Sequence, residues 1–429
     1  MFKRFLVVLM VFGLFAIQLQ AWPWSSFKKG SQSQVSVREM ERTLSRLEKF
    51  AGKIEKMSDV DWNPVYAGLC YTINDYGRAV IPLLLRDVQD KSKDWKYRYM
   101  LVDRLIFVEG KEADDQWLIC EELMTISENN DEEANLRKNS INALSRLAGT
   151  SSLMDDERRR EVAKELVGLA KDNREDFQIR WEVIRDLSRF AKHYGDIIEE
   201  PLLELSSDTN NRIRASSIST LVTVSNFSQD VSIKSRVNTL LVNRLKVEQD
   251  NLVKDQIIYG IKTLKVREAI PLLMESLKIG KYCGKGYAAE LLGIMKVREA
   301  VPYLIGGLWN EKNSLISYRC SEALGRIGDE RAVEPLIELL TKGRFGESAA
   351  IPLAKIGDRG AIQPLIEKLE GDTVFQWDVA QALIMLNARE AIPVIEGKMP
   401  KRKFYGSALE FKQNFERFKR GEKVEWEEK

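Results

Sequence analysis

Apolar residues recur at helical spacing along nearly the whole chain, as in Leu336, Ile337, Leu339 and Leu340, and short polar turns separate the segments. One phrase punctuates this pattern. Arg267-Glu268-Ala269-Ile270-Pro271-Leu272-Leu273 returns as Arg298-Glu299-Ala300-Val301-Pro302-Tyr303-Leu304 and as Arg331-Ala332-Val333-Glu334-Pro335-Leu336-Ile337. Two further copies begin at Arg359 and Arg389, and the steps between the alanines are 31, 32, 29 and 30 residues. A fixed step of this size predicts an all-α solenoid, because one helical hairpin cannot hide its apolar face and must lean on the next.

Each clear repeat reads as two antiparallel helices. Helix A starts near the Arg-Glu-Ala phrase, with Asp329, Asp358 and Asn387 standing where an N-cap is wanted. Proline falls in its first turn, where a missing N–H costs little. Gly343 and Gly371 end helix A or open the next turn. Helix B carries small residues on one face: Ala323-Leu324-Gly325, Ala289 with Gly293, and Ala380 with Ala382. Small side chains let helices pack closely. Pro352 interrupts one copy and is expected to kink it.

The same grammar reaches back more faintly. Arg78-Ala79-Val80-Ile81-Pro82-Leu83-Leu84 matches the copy at Arg331, and Ala79 lies 190 residues before Ala269. Between them, helical segments fall in pairs, for a total of about ten pairs at this period. The boundaries expected are a signal peptide over 1–21, a flexible linker over 22–35 and an N-terminal capping segment over 36–77 holding a helix at Arg38–Met57. Degenerate repeats follow over 78–250 and clear repeats over 251–403. A capping helix and charged tail occupy 404–429, with Phe404, Leu409, Phe411, Phe415 and Phe418 facing inward.

The run Ile327-Gly328-Asp329-Glu330-Arg331-Ala332-Val333-Glu334-Pro335-Leu336-Ile337, following a helix B that ends Ala-Leu-Gly-x-Ile, resembles HEAT repeats. It is similar in particular to the short HEAT-like repeats of phycobilisome lyases. The resemblance is strong over about 251–403 and weaker over 78–250. It implies an armadillo-like helical superhelix with helix A convex and helix B concave. It also implies an enzymatic alternative, a bilin-lyase-like activity or a chaperone role on a protein substrate.

Composition narrows the chemistry. The formal charge of the 429 residues is +2, and Lys3 and Arg4 account for that excess, so no bulk field draws in nucleic acid. The single histidine, His193, rules out a multi-histidine metal centre within one chain and speaks against HEAT-repeat hydroxylases, which hold iron with His-Glu motifs. His193 reads as a helix C-terminal residue facing the macrodipole. Cys70, Cys120, Cys283 and Cys320 form no C-x-x-C pair and read as buried free thiols, with a Cys283–Cys320 bridge the oxidised alternative. The glycine-rich stretch Gly280–Gly286 lacks the end of a P-loop and falls at an A–B turn. The charge run Asp156–Glu161 reads as a solvated helix start. No catalytic, cofactor or metal set emerges.

At the N-terminus, Lys3 and Arg4 precede an apolar run, Phe5 to Leu19, and Ala21. This predicts a secretory signal peptide and an exported, periplasmic or secreted protein. The alternative is an uncleaved anchor, with Trp22, Trp24 and Phe27 at the interface, as in a membrane-anchored periplasmic assembly factor. If helix B lines the groove, Lys285, Tyr287, Tyr318, Arg319, Glu347, Trp377 and Asp378 face it. Aromatics beside Arg and Lys favour protein interfaces, and the mixed charge points to a protein or peptide partner. A second aromatic set, Tyr282, Phe345, Phe375 and Phe404, sits in the turns into helix B. The expected function is therefore a non-enzymatic, exported scaffold that binds a protein on its concave face.

Overall fold

The structure, a computed structural model, describes residues 36–54, 64–150, 153–280, 283–310, 313–343, 346–372, 376–400, 407–424 and 426. Among the described residues there are 22 α-helices and no strand, as the apolar periodicity predicts. The chain divides into two compact units, Met1–Ala143 and Leu144–Lys429. The expected signal peptide and linker lie outside the described residues.

In the first unit, α1 (Val37–Ala51) is capped by Ser36, whose hydroxyl accepts from Glu39 N, and buries Met40, Thr43, Leu44, Leu47 and Ala51. That i, i+3, i+4 stripe is the expected one, though the helix is shorter than Arg38–Met57. Then come α2 (Pro64–Asp75), α3 (Ile81–Gln89), α4 (Trp95–Phe107) and α5 (Ala113–Glu128), and the division between the units falls within α6 (Ala134–Thr150). Tyr97 of α4 is fully buried and donates to Asp87 Oδ2 at 2.7 Å, so neither polar group lacks a partner.

The second unit is a run of hairpins. Its helix pairs are α7 (Asp156–Lys171) with α8 (Phe177–Asp186), α9 (Gly195–Leu205) with α10 (Asn211–Phe227), and α11 (Val231–Val247) with α12 (Asn251–Leu264). The clear repeats give α13 (Ile270–Ile279) with α14 (Gly284–Ile294), α15 (Val301–Gly307) with α16 (Ser314–Ile327), and α17 (Val333–Lys342) with α18 (Ala350–Ile356). The last are α19 (Ile362–Gly371) with α20 (Trp377–Met385) and α21 (Ile392–Lys398) with α22 (Ser407–Lys419).

The recurrent phrase has a distinct shape at each copy. Arg-Glu-Ala forms a separate 3₁₀ turn, as at Arg267–Ala269 and Arg298–Ala300, and the α-helix starts on the next residue. Pro271, Pro302 and Pro393 then fall in the first turn. Asp329 and Asp358 cap as expected, accepting from Arg331 N and Gly360 N. Asn387 does not cap. It is left-handed, with φ 52°, and it aligns with Lys265 (52°), Lys296 (54°), Gly328 (70°) and Gly357 (85°). Every clear repeat leaves helix B through one left-handed residue, which reverses the chain into the next 3₁₀ turn.

Helix B packs against helix B of the next repeat through small residues. A Cβ on Gly260 would lie 2.7 Å from Val222 Cγ2. A Cβ on Gly293 would lie 2.6 Å from Ala323 Cα, and one on Gly325 would lie 2.7 Å from Pro352 Cα. At Gly293 and Gly325 backbone meets backbone, and at Gly260 the Val222 side chain and the Leu241 methyls fill the space, so none of the three has room for a side chain. Pro352 stands in the first turn of α18, after a 3₁₀ turn at Gly346–Ala349, so it shortens helix B to seven residues and does not kink it.

The degenerate repeats use a different link. Arg98, Arg137, Arg180 and Arg214 begin the B helices, at steps of 39, 43 and 34 residues. Arg98 Nε donates to Val88 O at the end of its own helix A, and its other nitrogens clasp Glu132 at 2.7 and 2.9 Å. Arg137 donates to Ser127 O, at the end of its own helix A. Arg180 Nε donates to Ala170 O and Nη2 to Asp208 at 2.6 Å. Arg214 clasps Glu248 with both 3.1 Å bonds. Arg98, Arg180 and Arg214 each tie one hairpin to the turn of the next, in sites that exclude water.

At the C-terminal end, Phe411, Phe415 and Phe418 face inward as expected, while Leu409 is exposed and Phe404 lies outside the described residues. Leu409 is in the first turn of α22, where the apolar stripe has not yet met its neighbour. All four cysteines are free and buried, so Cys283 and Cys320 are not bridged. His193 lies exposed in the turn after Phe190, its backbone N–H on Phe190 O.

Three outcomes follow from these links. Lys265→Gly and Lys296→Gly relieve left-handed strain and should each stabilise by up to about 1 kcal/mol, whereas Gly328→Ala should cost about 1 kcal/mol. Urea midpoints measure both, and a loss on Lys→Gly would contradict the reading. Arg180→Ala, which strands Asp208 in a buried site, should cost roughly 3 kcal/mol, against under about 0.5 kcal/mol for exposed Arg212→Ala. Arg98 holds the Glu132 carboxyl below its ordinary value. Burial pushes Glu248 up, but Arg214 and the backbone N–H groups of Asp250 and Gln249 outweigh it and hold it below. The stability from these depressed carboxyls is complete above the ordinary glutamate pKa and is lost as pH falls through the folded value. Urea midpoints should therefore drop on acidification below about pH 4.5, and less steeply in Glu248→Gln.

Candidate protein-binding face

The B helices of the clear repeats present one surface, because their opposite stripe is taken up by the small-residue contacts. On it, Tyr259 of α12, Tyr287 of α14 and Tyr318 of α16 are exposed. Arg319 lies with its guanidinium 5.0 Å from the Tyr287 ring centroid and pairs with Glu290. Lys262 pairs with the same carboxylate at 2.7 Å. Gly286 makes room for this arrangement: a Cβ there would stand 3.2 Å from Arg319 Cδ. A cation stacked on an aromatic ring and tied to a carboxylate is held in one pose, so it reaches a partner at little entropic cost.

Beside the tyrosines lies a shallow cleft of about 190 Å³, lined by Asp255, Ile258, Tyr259, Lys262, Tyr287, Glu290 and Leu291. Enclosed small-molecule sites run to roughly 300 Å³ and above, so this cleft suits the tip of one side chain.

Further along, the face turns acidic. Glu322 of α16 takes Lys355 at 3.3 Å and Arg326 at 3.9 Å. Desolvation, then the carboxylates of Glu347 and Glu322, push the Asp378 carboxyl up. Burial, then Glu322 and Asp378, push the Tyr318 hydroxyl up as well. These shifts place Tyr318, Glu322, Glu347 and Asp378 within one electrostatic neighbourhood.

The seven residues singled out in sequence are not equivalent, and Glu347 lies in the 3₁₀ turn that precedes α18. Tyr287, Tyr318 and Arg319 stand together on the B face. Lys285 folds back over Gly280, where a Cβ would be 3.8 Å from its Cγ. Trp377 is half-buried and meets the Phe411 ring edge-on at 5.2 Å, which gives it a packing role at the C-terminal helix. Asp378, at the start of α20, is exposed as a residue, and its upward shift comes from partial desolvation of the carboxyl beside Glu347 and Glu322. Tyr282, Phe345, Phe375 and Phe404 lie outside the described residues. Tyr259, Lys262 and Glu290 escaped the sequence reading. Their signal is Tyr259 standing one residue before Gly260, and a Lys and a Glu that meet only across two repeats.

The HEAT-repeat family model matches residues 284–351. No curated protein matches the chain in sequence. Among solved structures, Kap121p is similar with a TM-score of 0.57 and 12% identity over 86% of this chain and 43% of that one. Importin beta gives 0.55 and 11%, over 84% of this chain and 55% of that one. The Kap95:Nup1 complex gives 0.54 and 14%, over 89% and 54%. The chain thus spans about half the length of the proteins it resembles, and at such identity the likeness shows the fold. Repeats of period near thirty, hairpins linked B to B, and the family match agree: the chain is an α-solenoid, with HEAT repeats over residues 284–351.

Proposed function

We propose that the chain is a non-enzymatic scaffold whose B-helix face over residues 251–385 binds a protein or peptide partner, and that it works after export from the cytoplasm. The observation that carries the binding reading is exposed Tyr287 and Tyr318 on a rigid helical face, with half-buried Arg319 stacked on the Tyr287 ring. Tyr and Arg are enriched at protein interfaces because each offers a large contact area with a polar tip. The shallow cleft supports it, since side-chain insertion suits a partner chain better than a small ligand. The Kap95:Nup1 complex is one instance of this fold with a protein bound. Export rests on the sequence alone, in the basic start and the apolar run from Phe5 to Leu19. The close approach of successive B helices supports placing them on the inner side of the curve.

A photo-crosslinking side chain in place of Tyr287 or Tyr318 should capture one discrete protein in cells, and the same probe at Tyr303 on helix A should not. With the probe at one of these positions, alanine at the other should weaken that capture by about tenfold or more with the melting temperature nearly unchanged. Equal capture at all three positions, or none, contradicts the assignment. Trp377→Ala serves as the packing control: it should lower stability by roughly 3 kcal/mol through loss of its contact with Phe411.

A further inference from the structure

The stack of B helices is not uniform. Gly260 of α12 packs toward α10, at Val222, and Gly293 of α14 packs on α16, at Ala323. No glycine joins α12 to α14, and these two helices approach each other less closely than α10 and α12 or α14 and α16 do. The cleft of about 190 Å³ opens at this gap, and all its lining residues belong to the two helices. Along α12, Asp255, Tyr259 and Lys262 stand at i, i+4 and i+7, which is one stripe of a helix. Tyr287 faces them from α14, and buried Ile258 and Leu291 form the floor.

Three charged groups line the cleft, and two of them are engaged. Lys262 Nζ donates to Glu290 Oε1 at 2.7 Å, and Arg319, from outside the cleft, donates to Glu290 Oε2. Asp255 is exposed and has no ion pair or side-chain hydrogen bond among the described residues. Helix capping does not account for it. Asp250 already caps α12, and Asp255 stands past the first turn, where the helix dipole has faded. Two tyrosine rings, an apolar floor and one free carboxylate suit a long basic side chain. Its methylenes would lie on Ile258 and Leu291, and its cation would meet the Asp255 carboxylate and the rings. A neutral apolar occupant would strip water from Asp255 and supply no partner. An anionic occupant would be repelled by Asp255, and Glu290 already holds Lys262 and Arg319.

We propose that the gap between α12 and α14 is the specificity pocket of the B face, and that it takes a lysine or arginine side chain of the protein partner. The pocket's role depends on the B-face reading, since a partner seated there must supply the side chain.

The test uses the full chain with methyl-labelled isoleucine and leucine, and blocked single amino acids as probes. The N-acetyl methylamides of lysine and arginine should shift the Ile258 and Leu291 methyl signals. The same derivatives of norleucine, which has the stem without the ammonium, and of glutamate should need several-fold higher concentrations. The methyl of half-buried Ile305 on helix A should not move. Asp255→Asn should reduce the lysine response to the norleucine level, and high salt should weaken it. The methyl spectrum itself reports that the variant keeps its fold. In cells, Asp255→Lys should weaken photo-capture at Tyr318 several-fold. Shifts as strong with norleucine or glutamate, an unchanged lysine response in Asp255→Asn, or no shift with any probe overturns the proposal. So does unchanged capture in Asp255→Lys. The probes need no partner, so the two readings fail separately. Absent photo-capture from the unaltered face counts against the B face, and an absent lysine response counts against the pocket.

Discussion

Successive B helices approach so closely that glycine stands where a side chain would find no room, and that contact governs the second unit. Gly260, Gly293 and Gly325 have no side chain because Val222, Ala323 and Pro352 occupy the space one would fill. A hairpin of two short helices buries too little apolar surface to stand alone, and helices isolated in water are marginal at these lengths. α15, α18 and α21 are seven residues each. They persist because the neighbouring repeat supplies the missing half of their core. The left-handed exits at Lys265, Lys296, Gly328, Gly357 and Asn387 serve the same end, since each turns the chain so that the next hairpin lands in register.

The two halves of the array solve one problem by different chemistry, and this decides what sequence could reveal. In the clear repeats the solution is steric: small residues, a proline and a left-handed exit at fixed offsets, all visible as wording. In the degenerate repeats the solution is polar: Arg98, Arg180 and Arg214 reach the turn that follows the next helix A. That link also has a signature, an acid or Asn followed four residues later by Arg, as in Asp94-Trp95-Lys96-Tyr97-Arg98 and Asp176-Phe177-Gln178-Ile179-Arg180. It is hard to hear because its step varies from 34 to 43 residues. Pro352 and Asn387 depart from their expected roles for a related reason. Both residue types fit several local roles, and only the register of the array selects among first turn, kink, cap and exit.

The candidate site was legible to the extent that it follows helix register. Tyr318 and Arg319 lie ahead of the Ala-Leu-Gly segment, and the helix carries them to the B face. Trp377 obeys the same rule, yet Phe411 of the terminal helix covers its ring, and no local pattern announces that neighbour. The carboxylate that joins Lys262 and Arg319 belongs to a third helix. Such clusters arise from stacking, so they become visible only when the stack is built.

The most direct measurement of the central contact is hydrogen exchange, residue by residue, on Gly293→Val. A branched side chain 2.6 Å from Ala323 Cα must push α14 and α16 apart. If repeats hold one another up, protection should fall in α14 and α16, then in α12 and α18, and fade toward both ends of the unit. Loss confined to α14, or unchanged protection throughout, would contradict a stack held together by close B-helix contacts.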